Sequence, residues 1–415
     1  MFTPRALTPQ ILPALENSPT VFINGPRQAG KSTLVQTLPG SSWPAGYLTF
    51  DDASQLGAAQ ANPESFLRAC QRPQILDEVQ MVPDLFRALK MLVDETRIDP
   101  TAKANGQFLL TGSANIMALP ALADALVGRM VVMTLYPFSA LEISTGQGGF
   151  LSRLMGNGFK TGRCNSDTPL TKIIQQATFP EISKSDKPAR HRWFESYLST
   201  ILQRDVRQLA DIAKLGVLPN LLRILASRAG CLINAADIGR SIGLNAVTTK
   251  NYRILLQMMF LTFDISPWFR NIGKRLVKSP KGYLIDTSLL CHLQQIDLEH
   301  VVIADPHVFG HVFENFVATE LIKQLSFSSI QAQLLHFRTS DNKEVDFVFE
   351  QFNGTLAAIE VKARDAVNID DFRGLKELEK QAGKDFICGI VLYTGKVRIP
   401  FGERLWAIPA NELWS

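Results

Sequence analysis

Gly25-Pro26-Arg27-Gln28-Ala29-Gly30-Lys31-Ser32 fits the pattern G-x-x-x-x-G-K-[ST], and its flanks decide the fold. The apolar run Thr20-Val21-Phe22-Ile23-Asn24 before it reads as a strand, and Ser32 to Leu38 after it reads as a helix. A turn between such elements aims consecutive backbone N–H groups at one anion, and its glycines keep side chains out of a phosphate's way. Lys31 would neutralise the β- and γ-phosphates of a nucleotide. The Ser32 hydroxyl would bind Mg²⁺, and Thr33 closes the cradle formed by residues 25 to 33.

Outward from this loop, short apolar runs alternate with helix-length segments: Tyr47-Leu48-Thr49-Phe50, Gln74-Ile75-Leu76-Asp77, Gln107-Phe108-Leu109-Leu110-Thr111 and Met130-Val131-Val132-Met133. That alternation predicts an α/β fold with a parallel sheet covered on both faces. The third run ends in two carboxylates. Asp77 would hold the Mg²⁺ through its water shell, and Glu78 would orient and deprotonate an attacking water. The fourth run leads into Thr111, Ser113 and Asn115 at the sheet's carboxyl edge, where any of them can sense the γ-phosphate. Gly128-Arg129 precedes the last run. Arg129 can reach a phosphate in its own or a neighbouring subunit, or serve as a surface ion-pair partner; Arg204 and Arg207 are the other candidates for such an arginine.

Composition narrows the rest. A chain of 415 residues with 46% hydrophobic and 20% charged residues buries more than one core, which excludes general disorder. Lys plus Arg (43) against Asp plus Glu (39) leaves only +4, so any nucleic-acid partner has to be argued from local clusters. The five cysteines, Cys70, Cys164, Cys231, Cys291 and Cys388, form no CxxC pair, which points to a reducing cytosol rather than a disulfide framework. The sequence shows no secretory signal and no run of about 18 apolar residues, so neither export nor a membrane partner is expected.

Residues 1–145 therefore read as a P-loop core, followed by a Gly-rich polar stretch, 144–167, expected to be a mobile loop. Residues 170–215 read as a helical lid, with Trp193, Phe194, Tyr197, Leu198, Ile201 and Leu202 along one packing face. Residues 216–300 run helix, helix, turn, helix, then two strands, a winged-helix outline. Its third helix offers Thr248, Thr249, Lys250, Asn251 and Arg253 to a DNA groove. The stretch Trp268 to Lys281, with five basic and no acidic residues, would clamp the backbone as a wing. Winged helices also serve as protein-interaction modules, and that alternative stays open.

Residues 301–415 begin with a helix and continue as strands. Glu344-Val345-Asp346 opens one strand, and Glu360-Val361-Lys362 closes the next. Residues i and i+2 share a face, so Glu360 and Lys362 point one way, and hairpin pairing brings Asp346 beside them. The set resembles the PD-(D/E)xK nuclease motif. On that resemblance Asp346 and Glu360 would ligate Mg²⁺, Lys362 would steady the water or the phosphate, and Glu314 on the preceding helix would add a ligand. Such a cluster can equally persist as a structural ion pair. His307 and His311 are spaced i,i+4 but have no third ligand in view, and they read as surface imidazoles.

The chain as a whole resembles the AAA-type ATPases that carry a C-terminal domain of unknown function, DUF4143. The resemblance rests on the phosphate loop, Ile75-Leu76-Asp77-Glu78-Val79-Gln80, Leu110-Thr111-Gly112-Ser113 and Gly128-Arg129 ahead of Leu135-Tyr136-Pro137-Phe138-Ser139. It continues through Phe179-Pro180-Glu181, Asp205-Val206, Tyr283-Leu284-Ile285-Asp286 and Phe313-Glu314-Asn315. The family's usual Gly-Leu after the residue matching Asp286 is Thr287-Ser288-Leu289 here. The resemblance implies an ATPase core, a winged-helix segment and a restriction-endonuclease-like terminal domain. The expectation is a cytoplasmic, Mg²⁺-dependent ATPase acting on DNA, with a homo-oligomer if a neighbour supplies the arginine. The alternatives are a nucleotide-gated switch that scaffolds a protein partner and a nuclease gated by ATP.

Overall fold

Five short apolar runs become five strands: β1 (Thr20–Asn24), β2 (Gly46–Thr49), β3 (Gln74–Asp77), β4 (Phe108–Gly112) and β5 (Met130–Thr134). In this computed structural model they form a sheet in the order β2-β3-β4-β1-β5, every neighbouring pair parallel. The structure describes residues 3–415 except 100, 102, 114–127, 145, 165–167, 206–214, 272, 274, 276 and 277. Every residue of β1, β3 and β4 is buried, as expected of central strands covered on both faces. Their carboxyl ends, Asn24, Asp77 and Gly112, share one edge, so the sheet itself assembles the phosphate loop, the paired acids and Ser113.

The chain folds as two compact units, Met1–Pro137 with Gln257–Phe260, and Phe138–Leu256 with Leu261–Ser415. The second unit contains β6 (Gly162–Arg163), β7 (Thr262–Pro267), β8 (Lys281–Leu284), β9 (Ala332–Arg338), β10 (Glu344–Gln351), β11 (Leu356–Lys362), β12 (Phe386–Tyr393), β13 (Val397–Pro400) and β14 (Leu405–Pro409). Among the described residues these make one sheet, in the order β6-β13-β14-β12-β11-β10-β9-β7-β8. β11 and β12 are parallel, joined across the helix Arg373–Ala382, whose Leu375 and Leu378 are fully buried under the sheet.

One expectation is corrected here, and one expected boundary is spanned by the sheet. The stretch 144–167 is not simply a loop: Phe150–Met155 is a helix that buries Phe150, Leu151 and Leu154, and β6 pairs with β13. Gly and Ser content hid a short amphipathic helix. The sheet also runs through the expected boundary at 300/301, because β7 pairs parallel with β9.

The helices Leu218–Ser227, Ala235–Ile242 and Ala246–Met258 precede the β7–β8 hairpin in the expected order, and Leu232 bridges to Lys281. The hairpin is not a free basic wing, however. Trp268 is buried, its indole Nε1 donating to Glu350 at 3.1 Å, and the Arg275 guanidinium clasps the same carboxylate at 2.8 Å. Lys281 is buried as well. Arg270 and Lys278 are exposed, while Lys274 lies outside the described residues. On the third helix, Thr249 is buried and Arg253 is paired with Asp264 at 2.7 Å, so neither is available to a groove; Lys250 and Asn251 are exposed and Thr248 is half-buried.

Aromatic packing organises the segment expected as a lid. Phe179 lies against Trp193, Phe194 and Tyr197, with ring centroids 5.1, 6.3 and 4.9 Å away. Among the described residues no helix is long and apolar enough to cross a membrane.

Candidate functional site

Gly25 leaves β1 with φ +145°, and a Cβ there would sit 2.2 Å from the Leu135 carbonyl oxygen, so only glycine lets the loop pass the chain leaving β5. Gly30 turns into the left-handed region (φ 90°) and hands over to the helix Lys31–Gln36. The loop is braced from behind by Arg5. Its buried guanidinium donates to the Ala29 carbonyl at 2.7 Å and to the Tyr136 carbonyl at 2.6 Å. Charge-assisted bonds of this kind contribute about 1.5–3 kcal/mol each.

Lys31 is 4% exposed and donates to the carbonyls of Gly25 (3.1 Å) and Pro26 (2.9 Å). Burial pulls its pKa down to about 8, with Glu78 and Asp77 opposing the fall. Both acids stand where β3 ends, at the same sheet edge from which the loop carrying the lysine leaves β1. Asp77 is itself fully engaged. One carboxylate oxygen accepts from the Tyr47 hydroxyl at 2.7 Å and the other from Thr111 Oγ1. Tyr47 is pushed up to about 12 by burial and by Asp77.

These residues fit a hydrated magnesium ion. Ser32 and Asp77 are oxygen donors of the kind a hard cation takes, and an aspartate whose oxygens already accept hydrogen bonds suits contact through water.

Glu78 stands in the left-handed region at φ 60°. Its carboxylate is held by the Gln80 amide, which also donates to Ser113 Oγ at 3.0 Å and accepts from the Ser113 N–H at 3.2 Å. Gln80 thus ties the expected base to the expected sensor. Thr111, by contrast, is buried between Asp77 and the Glu78 N–H, where it buttresses the acids rather than sensing phosphate. Asn115 and Arg207 lie outside the described residues, as does the side chain of Arg204.

Arg129 is corrected. It precedes β5, whose first residue Met130 is level with Thr20, so it stands at the amino edge of the sheet, about 13 Å of strand from its own phosphate loop. There Asp94 holds it with two bonds, at 2.7 and 2.9 Å. It cannot serve the site of its own chain.

The second unit brings Asp346, Glu360, Glu314 and Lys362 to one place, but not as a metal site. Among the described residues no three His, Cys, Asp or Glu side chains are arranged to hold an ion. The centre of the cluster is taken by Lys281, 2% exposed, whose Nζ lies 2.5 Å from Glu344, 2.9 Å from Asp346 and 3.1 Å from Glu314. Glu314 also accepts from the Tyr283 hydroxyl at 2.9 Å, Asp346 from the Val361 N–H at 2.9 Å, and Glu360 from Lys362 at 2.6 Å.

Burial pulls the Lys281 ammonium down, yet the surrounding Asp346, Glu314 and Glu344 hold it well above its ordinary pKa. Asp346 is correspondingly lowered, Lys281 outweighing burial. Burial and the neighbouring Asp346 push Glu314 up to about 7 and Glu360 up to about 8. Beside the cluster a cleft of about 600 Å³ is lined by His307, His311, Glu314, Lys362, Arg364 and Asp371.

Sequence reasoning missed Arg5, Tyr47, Gln80, Lys281, Tyr283 and Glu344 as site residues. The i,i+2 spacings of Glu344 with Asp346 and of Lys281 with Tyr283 were usable signals, since each pair shares a strand face. Nothing in the spacing marks Arg5 or Tyr47.

Family models match three segments of the chain: an AAA domain at residues 17–144, a domain of unknown function (DUF8612) at 169–300, and a domain of unknown function (DUF4143) at 309–413. An uncharacterized protein of Mycobacterium tuberculosis is 29% identical over 401 residues, 96% of this chain and 82% of that protein. An uncharacterized protein of Haemophilus influenzae is 22% identical over 280 residues, 66% of this chain and 62% of that protein. Among solved structures, the Walker-type ATPase of Pyrococcus abyssi is similar at 13% identity and a TM-score of 0.41, covering 69% of this chain and 94% of that one.

Proposed function

For a chain that carries an AAA domain ahead of a DUF4143 domain, we propose the binding and hydrolysis of ATP with magnesium at the loop 25–33. The observation that carries this reading is the meeting of Lys31, Asp77, Glu78 and Ser113 at one sheet edge beside a glycine-bounded loop. Backbone N–H groups and Lys31 would grip the triphosphate, Ser32 and Asp77 would hold the magnesium ion, and Glu78 would take the proton of an attacking water. Magnesium, when bound, supplies charge neutralisation at the β- and γ-phosphates. Because Arg129 stands at the far edge, an arginine acting from that position would come from a neighbouring copy, and a homo-oligomer is part of the proposal. Substitution of Lys31→Ala is expected to abolish ATP hydrolysis in a steady-state phosphate-release assay. Turnover at the wild-type rate in that variant would refute the assignment.

DNA is the proposed partner of the second unit, supported by the exposed Lys250, Asn251, Arg270 and Lys278. One observation favours the alternative of a nucleotide-gated switch with a protein partner. Val247 and Ile254, on the same helix face as Lys250 and Asn251, are 70% and 42% exposed, and apolar side chains suit a protein surface better than a phosphate backbone. Stimulation of hydrolysis by duplex DNA supports the first reading, and indifference to DNA supports the second.

A further inference from the structure

The acidic cluster of the second unit gathers carboxylates of the type a divalent cation takes, but it is arranged around a cation of its own. We infer that Lys281 is a built-in counter-ion: its ammonium occupies the position a divalent metal would take among Glu314, Glu344 and Asp346, so the wild-type terminal domain carries no metal-dependent chemistry.

The geometry argues for substitution rather than a chance ion pair. Lys281 donates hydrogen bonds to two carboxylates, Asp346 at 2.9 Å and Glu314 at 3.1 Å, and lies in ion-pair contact with a third, Glu344, at 2.5 Å. These distances suit N–H···O bonds, whereas magnesium demands oxygens at about 2.1 Å in an octahedron. A lysine fixed only for packing needs one partner.

The three acids arrive from two elements, Glu314 from the helix Pro306–Phe327 and Glu344 and Asp346 from β10, and all three meet the Lys281 ammonium. Glu360 is served separately by Lys362, and Tyr283, two residues along β8 from the lysine, fills a further acceptor position on Glu314. Gly230 closes the far side of Glu314, since a Cβ there would lie 2.8 Å from the carboxylate. The lysine enters from β8, outside the strands that carry the Asp346, Glu360 and Lys362 set. A sequence can therefore keep that set intact while losing the metal.

The test uses the full-length, nucleotide-free chain, so that it stands apart from the ATPase reading, with manganese chloride as the probe in calorimetric titration. Wild type is expected to show no saturable site lost on Asp346→Asn. Lys281→Ala is expected to gain about one site per chain, at least about tenfold tighter than anything in wild type, and manganese should raise its melting temperature. The gained site should disappear in the double variant Lys281→Ala/Asp346→Asn.

A wild-type site that Asp346→Asn removes overturns the inference, and so does a folded Lys281→Ala that binds manganese no better than wild type. Should uncompensated carboxylates unfold that variant, Lys281→Ala/Glu344→Gln carries less repulsion and faces the same two outcomes. If neither folds, the wild-type titration with its Asp346→Asn control decides alone.

Discussion

Lys31 is held in its own loop by two carbonyls and buried there, and this sets a proton linkage on nucleotide binding. With its pKa pulled to about 8, the free lysine loses its proton as pH rises through that value, whereas a bound triphosphate requires it charged. Affinity for ATP is therefore expected to fall as pH rises above 8, with proton uptake on binding that shows as buffer-dependent heat in calorimetry. Affinity that stays level to pH 9 would contradict it. Glu78 belongs to the same scale: Glu78→Gln should retain ATP binding while slowing hydrolysis by about 10²–10⁴-fold in single-turnover assays. The placement of Lys31, Asp77, Glu78 and Ser113 at one sheet edge was legible because it depends on local spacing along strand, turn and helix. Gln80, Tyr47 and Arg5 were not, because their contacts join residues 33, 30 and 131 positions apart, and no periodicity encodes such pairings. Arg129 was legible as an arginine before a strand, but the edge of the sheet on which it lies depends on the register of β5 with β1.

Among the elements, the central strands β1, β3 and β4 read cleanly because burial on both faces leaves uninterrupted apolar runs. The β7–β8 hairpin was recognisable as a hairpin. Its basic composition suggested solvent, while pairing with β9 turns Trp268, Arg275 and Lys281 inward. What remains for a nucleic acid is the exposed face of the helix Ala246–Met258 together with Arg270 and Lys278. Lys250→Ala is expected to weaken duplex binding and to reduce the slope of log affinity against log salt by about one, measured by anisotropy over a salt series. An unchanged slope would remove that lysine from the interface. The acidic cluster predicts a pH effect of its own. Glu314 and Glu360 have pKa values raised on folding from 4.5 to about 7 and about 8, so the folded chain keeps protons that the unfolded chain has lost. Stability contributed by these groups therefore declines as pH rises from about 5 to about 8. Tryptophan fluorescence reports this unit well, since Trp193, Trp268, Trp406 and Trp414 lie in it. Its melting temperature should drop across that range, and Glu360→Gln should flatten part of the drop. A rise would contradict the assignment.

At the scale of the whole molecule, one unit holds the parts of a nucleotide site on a parallel sheet, and the other weaves the helix-and-hairpin segment into a nine-stranded sheet around a lysine-filled acidic cluster. The end of the first unit was legible to within a few residues, at 145 against Pro137, whereas the folding of the Gly-rich stretch into the second unit's edge was not, because it depends on pairing of β6 with the distant β13. The central claim is that the loop at 25–33 grips ATP. It is tested most directly by calorimetric titration of ATP and magnesium into the folded Glu78→Gln variant, with Lys31→Ala and Asp346→Asn as companions. Saturable binding near one ATP per chain, abolished by Lys31→Ala and untouched by Asp346→Asn, is the expected result. No binding to folded Glu78→Gln, or equal binding with Lys31 replaced, would contradict the claim.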